Sequence, residues 1–156
     1  MEGLRDLYQE VILDHNKNPR NFHKLERANH VAEGRNPLCG DHYTIYLLVE
    51  QDKVKEIAFE GSGCAISKAS ASMMSTELKG KTVAEARHIF QIFHKVVTGE
   101  ADVMQYLEEL GKLAAFAGVA EFPVRVKCAT LAWHAMNSAL EGGSKPVTTE
   151  SQEDLI

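Results

Sequence analysis

Tyr43-Thr44-Ile45-Tyr46-Leu47-Leu48-Val49, followed by Gln51-Asp52-Lys53 and then Val54-Lys55-Glu56-Ile57-Ala58-Phe59, decides the fold class. The first run is crowded with β-branched and aromatic residues. The last alternates apolar with polar, and the three polar residues between them have the composition of a hairpin turn. Upstream, residues 30–35 supply a third strand. Downstream the pattern turns helical. Residues 67–78 are dense in Ala, Ser and Met, small or adaptable enough to let a helix lie close on a sheet. Thr82 with Glu85 three residues later makes a capping box. It opens a helix with Val83, Ala86, Ile89, Phe90, Phe93 and Val97 on one face, ended by Gly99. Residues 102–110 and 113–117 read as shorter helices joined at Gly111 and Lys112. Pro123 suits the first turn of a last helix that runs to about residue 140 and closes at Gly142-Gly143. Ahead of the strands, Leu7, Tyr8, Val11 and Ile12 mark an amphipathic helix over 4–16, which Asn18-Pro19 ends. Strands first and helices after make an α+β domain: a small antiparallel three-stranded sheet covered by about five to six helices. The domain is drawn over residues 1–143, and 144–156 are read as a flexible C-terminal tail.

A chain of 156 residues supports one core, and a net charge of −5 lacks the basic balance of a nucleic-acid binder. No apolar run approaches the roughly 18 residues of a membrane span. The start, Met1-Glu2-Gly3-Leu4-Arg5-Asp6, lacks the basic-then-apolar order of a secretion signal. The expectation is a cytoplasmic protein with neither nucleic acid nor membrane as partner. Three cysteines in a reducing compartment are not a disulfide framework, and an inert core thiol is the ordinary alternative for each.

Three segments carry chemistry. Asn36-Pro37-Leu38-Cys39-Gly40-Asp41 lies between two strands, with a fixed backbone angle at Pro37 and a free one at Gly40. Its thiol and carboxylate can turn toward one point, and both are zinc ligands. A turn that merely contains Cys and Asp is the alternative. Gly61-Ser62-Gly63-Cys64-Ala65-Ile66-Ser67 runs from a strand through two glycines into a helix. That places amide N–H groups and the positive end of the helix against the Cys64 sulfur and favours thiolate. Phe122-Pro123-Val124-Arg125-Val126-Lys127-Cys128-Ala129 places the third thiol early in the last helix. Arg125 and Lys127 beside it are expected to lower its pKa, and a core cysteine backed by Leu131 and Trp133 is the competing reading. Together, three sulfurs and one carboxylate make a four-ligand set suited to zinc or to an iron–sulfur unit. No Cys-x-x-Cys knuckle is present, so any such site is assembled by the fold.

These segments, with Ile12-Leu13-Asp14-His15-Asn16-Lys17-Asn18-Pro19-Arg20-Asn21 and Arg125-Val126-Lys127-Cys128-Ala129-Thr130-Leu131, resemble the IscU/SufU/NifU-N iron–sulfur cluster assembly proteins, the SufU type above all. The resemblance runs from Leu7 to about Leu140. It implies an IscU-like fold, a metal site made of Cys39, Asp41, Cys64 and Cys128, and Cys39 as persulfide acceptor. The IscU type has a histidine where this chain has Lys127, which leaves Asp41 as the natural fourth ligand. About twenty residues around 102–121 are additional to the IscU type. The Leu-Pro-Pro-Val-Lys motif for a dedicated Hsp70 chaperone is replaced by Phe122-Pro123-Val124-Arg125-Val126, which argues against that partner.

The leading function is a zinc-dependent sulfur carrier supplied by a SufS-type cysteine desulfurase, a pyridoxal phosphate enzyme. It would pass sulfur to a cluster-assembly scaffold or to apo-proteins, with Arg125 assisting. The alternatives are a scaffold on which a [2Fe-2S] cluster is built from iron and sulfur at the same residues, and a zinc-stabilised adaptor without chemistry. A zinc hydrolase is disfavoured, since none of the seven histidines falls in a His-Glu-x-x-His arrangement.

Overall fold

The computed structural model describes residues 2–142 and 146–149. Helix α1 (Glu2–Lys17) leads to strands β1 (His30–Asn36), β2 (Asp41–Glu50) and β3 (Lys53–Ser62). Helices α2 (Ala65–Leu78), α3 (Val83–Val97), the single turn α4 (Leu107–Leu110) and α5 (Pro123–Leu140) follow, and strand β4 (Val147–Thr148) comes last. The α+β class is as expected from the sequence.

Gln51 and Asp52 both take positive φ, 53° and 61°, so β2 and β3 are joined by a two-residue turn whose twist matches theirs. Tyr43, Ile45, Leu47, Val54, Ile57 and Phe59 all turn into the core. On β1, Gly34 lets α5 approach: a Cβ there would stand 3.0 Å from Leu131 Cδ1. Trp133 of α5 stacks on Phe93 of α3 with ring centroids 4.5 Å apart. The capping box of α3 forms as read, with Glu85 N–H donating to Thr82 Oγ1 at 3.0 Å.

Helix α2 is the central helix, packed against α1, α5 and β3. Its buried serines would be costly without partners, and each has one. Ser67 meets the Tyr43 hydroxyl at 3.0 Å, and Ser70 donates to the Ala129 carbonyl at 2.6 Å. Ser72 accepts from the Arg20 N–H at 2.9 Å, and Ser75 accepts from Asn21 Nδ2 at 2.9 Å. The segment from Asp14 to Asn21 is therefore a polar staple that fastens the end of α1 to this serine face.

Two expectations are corrected. Residues 103–121 form mostly 3-10 turns, Val103–Tyr106 and Gly111–Glu121, around the single turn α4. Gly111, at φ 53°, interrupts any longer helix, while Leu113, Ala114 and Phe116 bury themselves in the core. Among the described residues the sheet also has four strands, in the order β3-β2-β1-β4, rather than three. The free edge of β1 offers unpaired backbone groups, and β4 fills it in parallel, with Gly34 opposite Val147 and Arg35 opposite Thr148. The tail drawn from residue 144 thus includes a piece of the sheet. Gly143 and tail residues 144, 145 and 150–156 lie outside the described residues.

Candidate metal centre

The β1–β2 hairpin turns over residues 37–40, closed by the Cys39 N–H donating to the Asn36 carbonyl at 3.2 Å. Gly40 takes φ 71° to complete it. Cys39 stands exposed near the tip beside Leu38, itself 60% exposed. At the base, Asn36 and Asp41 are the last cross-strand pair, and both are buried. Asp41 Oδ1 accepts the Cys64 N–H at 2.8 Å, and Oδ2 accepts from Asn36 Nδ2 at 3.1 Å. Two donors from two elements thus hold the carboxylate in one orientation.

Cys64 is the N-cap of α2, its sulfur accepting the Ser67 N–H at 3.4 Å. The chain reaches it through two glycines that have no substitute. Gly61 has φ 138° and lies hard against the His42 backbone. A Cβ on Gly63 would meet Ser67 Oγ at 2.6 Å and the Tyr43 hydroxyl at 2.7 Å, besides the Asp41 carboxylate. Cys128 is the sixth residue of α5, buried, with its sulfur 3.4 Å from that of Cys39 and 3.6 Å from Asn36 Nδ2.

The ligand atoms of Cys39, Asp41 and Cys128 all lie within 4.8 Å of one another, an arrangement that could hold a metal ion. Cys64 stands outside this group, on the cap of α2, with the Cys128 thiol as the strongest influence on its titration. Sulfurs on a tetrahedral zinc at about 2.3 Å stand roughly 3.8 Å apart, close to the Cys39–Cys128 separation. Cys39, Asp41 and Cys128 therefore fit zinc in donor chemistry and spacing, Cys64 adds a third thiol of the same donor chemistry, and the set equally suits an iron–sulfur unit.

The thiols do not titrate alike. Cys64 is pulled down to about 6, first because Cys128 donates to its sulfur and then through the Ser67 N–H and hydroxyl, against the opposing effect of burial. Cys128 is pushed up, because it holds that proton between its own sulfur and those of Cys64 and Cys39, and because it is buried. This overturns the expectation that Arg125, Lys127 and the helix start would lower Cys128. The residue lies in the second helical turn, past the reach of the helix-end field. The Tyr43 phenol is raised to about 12, mainly by burial, and stays neutral beside Ser67.

Arg125 is exposed, with its guanidinium over the Phe122 ring at 4.6 Å. It lines a groove of about 800 Å³ with Ile12 and Leu13 of α1, Ala65 and Ile66 of α2, and Phe122. The groove runs past the residues that follow Cys64. His42 is exposed too, 3.6 Å from Glu33 across the strand pair, as a surface strand histidine would be. Sequence reading passed over Asn36, whose amide touches both Asp41 and Cys128. An asparagine before proline signals only a turn.

Residues 7–140 match the family described as NifU-like N terminal domain. The chain is similar to the iron-sulfur cluster assembly scaffold protein IscU of Streptococcus pyogenes serotype M1, 41% identical over 90% of this chain and 87% of that one. It is equally similar to the zinc-dependent sulfurtransferase SufU of Bacillus subtilis (strain 168), 41% identical over 91% of this chain and 97% of that one. Among solved structures it resembles FiSufU of Fervidobacterium islandicum AW-1, described as an iron-sulfur cluster assembly scaffold protein for the SUF system. The TM-score is 0.79 at 38% identity, over 87% of this chain and 98% of the other.

Proposed function

The chain belongs to the family of NifU-like N-terminal domains, the iron–sulfur cluster assembly proteins that include IscU and SufU, and on that premise we propose that it is a sulfur carrier. Cys39 accepts persulfide sulfur from a cysteine desulfurase at a zinc site completed by Asp41, Cys64 and Cys128. One observation carries this reading: the thiols differ in freedom. Cys39 is exposed on a glycine-flanked turn, whereas Cys128 is 3% exposed inside α5 and Cys64 caps α2. Cys39 can leave the cluster by moving a hairpin tip, while the other two are held by helices.

Zinc bound here would supply positive charge that keeps the thiols deprotonated and guards them against oxidation. The transfer itself is done by Cys39. Its thiolate attacks the outer sulfur of the desulfurase persulfide. A bond forms between Cys39 Sγ and that sulfur, the enzyme's S–S bond breaks, and the enzyme's cysteine leaves as thiolate with the electron pair. The persulfide proton stays with the transferred sulfur, so no oxidant or reductant is needed. Asp41, aligned by the Cys64 and Asn36 N–H groups, stays in place while Cys39 moves out. The partner is a SufS-type, pyridoxal phosphate-dependent desulfurase, and the recipient is a cluster scaffold or an apo-protein. Support for the partner comes from the groove beside Cys64, where Arg125 offers a cation to an incoming persulfide.

A second reading, assembly of a [2Fe-2S] cluster as cargo at the same residues, is favoured by the three-thiol donor set and by the S. pyogenes relative's description as a scaffold. Mass spectrometry after incubation with desulfurase, pyridoxal phosphate and cysteine distinguishes them. The carrier gains roughly 32 Da, one sulfur atom, on the Cys39 peptide. Persulfide only on Cys64 or Cys128, with full turnover in Cys39→Ala, would refute Cys39 as acceptor. A coloured iron–sulfur product formed anaerobically with ferrous iron in place of retained zinc favours the scaffold.

A further inference from the structure

Asn36 is fully buried, and its carboxamide is saturated on both sides. Nδ2 donates to Asp41 Oδ2 at 3.1 Å and faces Cys128 Sγ at 3.6 Å, while Oδ1 accepts the Thr149 hydroxyl at 3.0 Å. The partners settle which way the amide points. A carboxylate only accepts, so the NH2 group must face Asp41, and the carbonyl oxygen is left for a donor. Turned over, the amide would aim its oxygen at a carboxylate and a sulfur, lone pair against lone pair.

We propose that Asn36 is a positioning residue of the metal centre and that the C-terminal segment, through Thr149, locks its orientation. Asp41 opens β2 and Cys128 lies within α5, and one NH2 group touches both. It therefore fixes the gap between two ligands that come from different parts of the chain. Thr149 is 4% exposed and is delivered by register: Val147 and Thr148 pair with Gly34 and Arg35, and the Thr149 N–H donates to the Arg35 carbonyl at 3.0 Å. The hydroxyl then lands one residue further along, on Asn36. The fourth strand is thus a part of the site's support and more than a cover for the sheet edge. Hydrogen-bonded partners behind metal ligands typically govern about 10–100-fold in affinity.

This inference rests on the zinc reading of the site, and the test separates the two. Zinc affinity is measured by competition with a chromophoric chelator for the full chain and for Thr149→Val, Thr149→Ser and Asn36→Ala, alongside melting of each metal-free form. Cobalt-substituted samples report the ligand geometry through their sulfur-to-metal absorption. The expected result is about a 10-fold loss for Thr149→Val and up to about 100-fold for Asn36→Ala. Thr149→Val should also alter the cobalt spectrum while its metal-free melting stays near that of the parent. Thr149→Ser, which keeps the hydroxyl, should restore affinity and spectrum. Thr149→Val is nearly isosteric, so it decides the question even if Asn36→Ala fails to fold. Parental affinity in Thr149→Val, or an equal loss in Thr149→Ser, overturns the inference and leaves the zinc reading intact. A parent chain that binds no zinc overturns both.

Discussion

The backbone N–H of Cys64 donates to Asp41 Oδ1 at 2.8 Å, so a bond between two proposed ligands ties the cap of α2 to the first residue of β2. The bond is possible only because Gly63 has no side chain. A methyl group there would push into Asp41, Ser67 and Tyr43, all of them buried or fixed by hydrogen bonds. Gly63→Ala is expected to lose about 1–3 kcal/mol of stability by overpacking and to weaken zinc retention with it. Denaturant melting and metal analysis check both, and a protein with parental values in each would show that this loop relaxes freely.

Removing the metal should lower thermal stability. An ion that binds only the folded state stabilises it by about 4 kcal/mol when present at 1,000 times its dissociation constant. The purified chain should hold about one zinc, as a single four-ligand site does, and its melting temperature should fall on treatment with chelator. Cys39→Ser, Asp41→Ala, Cys64→Ser and Cys128→Ser should each reduce retention. Full retention in Cys128→Ser would remove that residue from the site despite the 3.4 Å approach of its sulfur to Cys39.

Arg125→Ala should leave zinc content and fold nearly untouched and still impair sulfur transfer. The side chain is exposed, and its aromatic contact is with Phe122 at the groove. Surface substitutions of this kind usually stay within about 0.5 kcal/mol. Stimulation of the desulfurase is expected to drop about tenfold, the equivalent of roughly 1.4 kcal/mol lost from the encounter with the desulfurase persulfide. Undiminished stimulation across a range of desulfurase concentrations would leave Arg125 as a solvent-facing residue only.

How far the sequence could be read depended on the range of the interactions. The β2–β3 hairpin, the Thr82–Glu85 box and the Pro123 start of α5 are local events, and they stand where the residues indicate. Cys39, Asp41 and Cys128 were legible as chemistry, and the fold brings them together. What escaped depends on distant partners. β4 is only two residues long, and its one local signal, Val147 amid polar neighbours, is too weak without the β1 edge that it covers. Asn36 and Thr149 look like ordinary turn and tail residues until their 3.0 Å hydrogen bond is seen. The Cys128 expectation failed because neighbours in sequence were taken for neighbours in space. Arg125 sits three residues away but turns to Phe122, while two sulfurs far off in sequence decide how Cys128 titrates.

The last prediction concerns acid. His15 is buried, with Nδ1 2.7 Å from Ser72 Oγ, and Ser72 Oγ already accepts the Arg20 N–H at 2.9 Å. With two lone pairs and one proton, Ser72 Oγ can serve Nδ1 as donor or acceptor beside the Arg20 N–H, so either tautomer of the neutral ring is satisfied in the folded protein. Burial is the main force keeping His15 below its ordinary 6.5, and the Arg20 charge adds to it, with Lys112 acting in the same direction and Asp14 against. His94 is lowered by burial as well, opposed by Glu100. Between 6.5 and these lowered values the unfolded chain takes up protons that the folded chain refuses. Stability therefore falls as pH drops through that window, is unaffected by these groups above it, and levels off below it. Melting of the metal-free protein from pH 7.5 down to about 5 should show this decline. His15→Gln should be less stable at pH 7 yet show a shallower decline, since His94 still contributes. An equally steep decline in His15→Gln would mean that the pH sensitivity arises elsewhere, with the thiols as the first place to look.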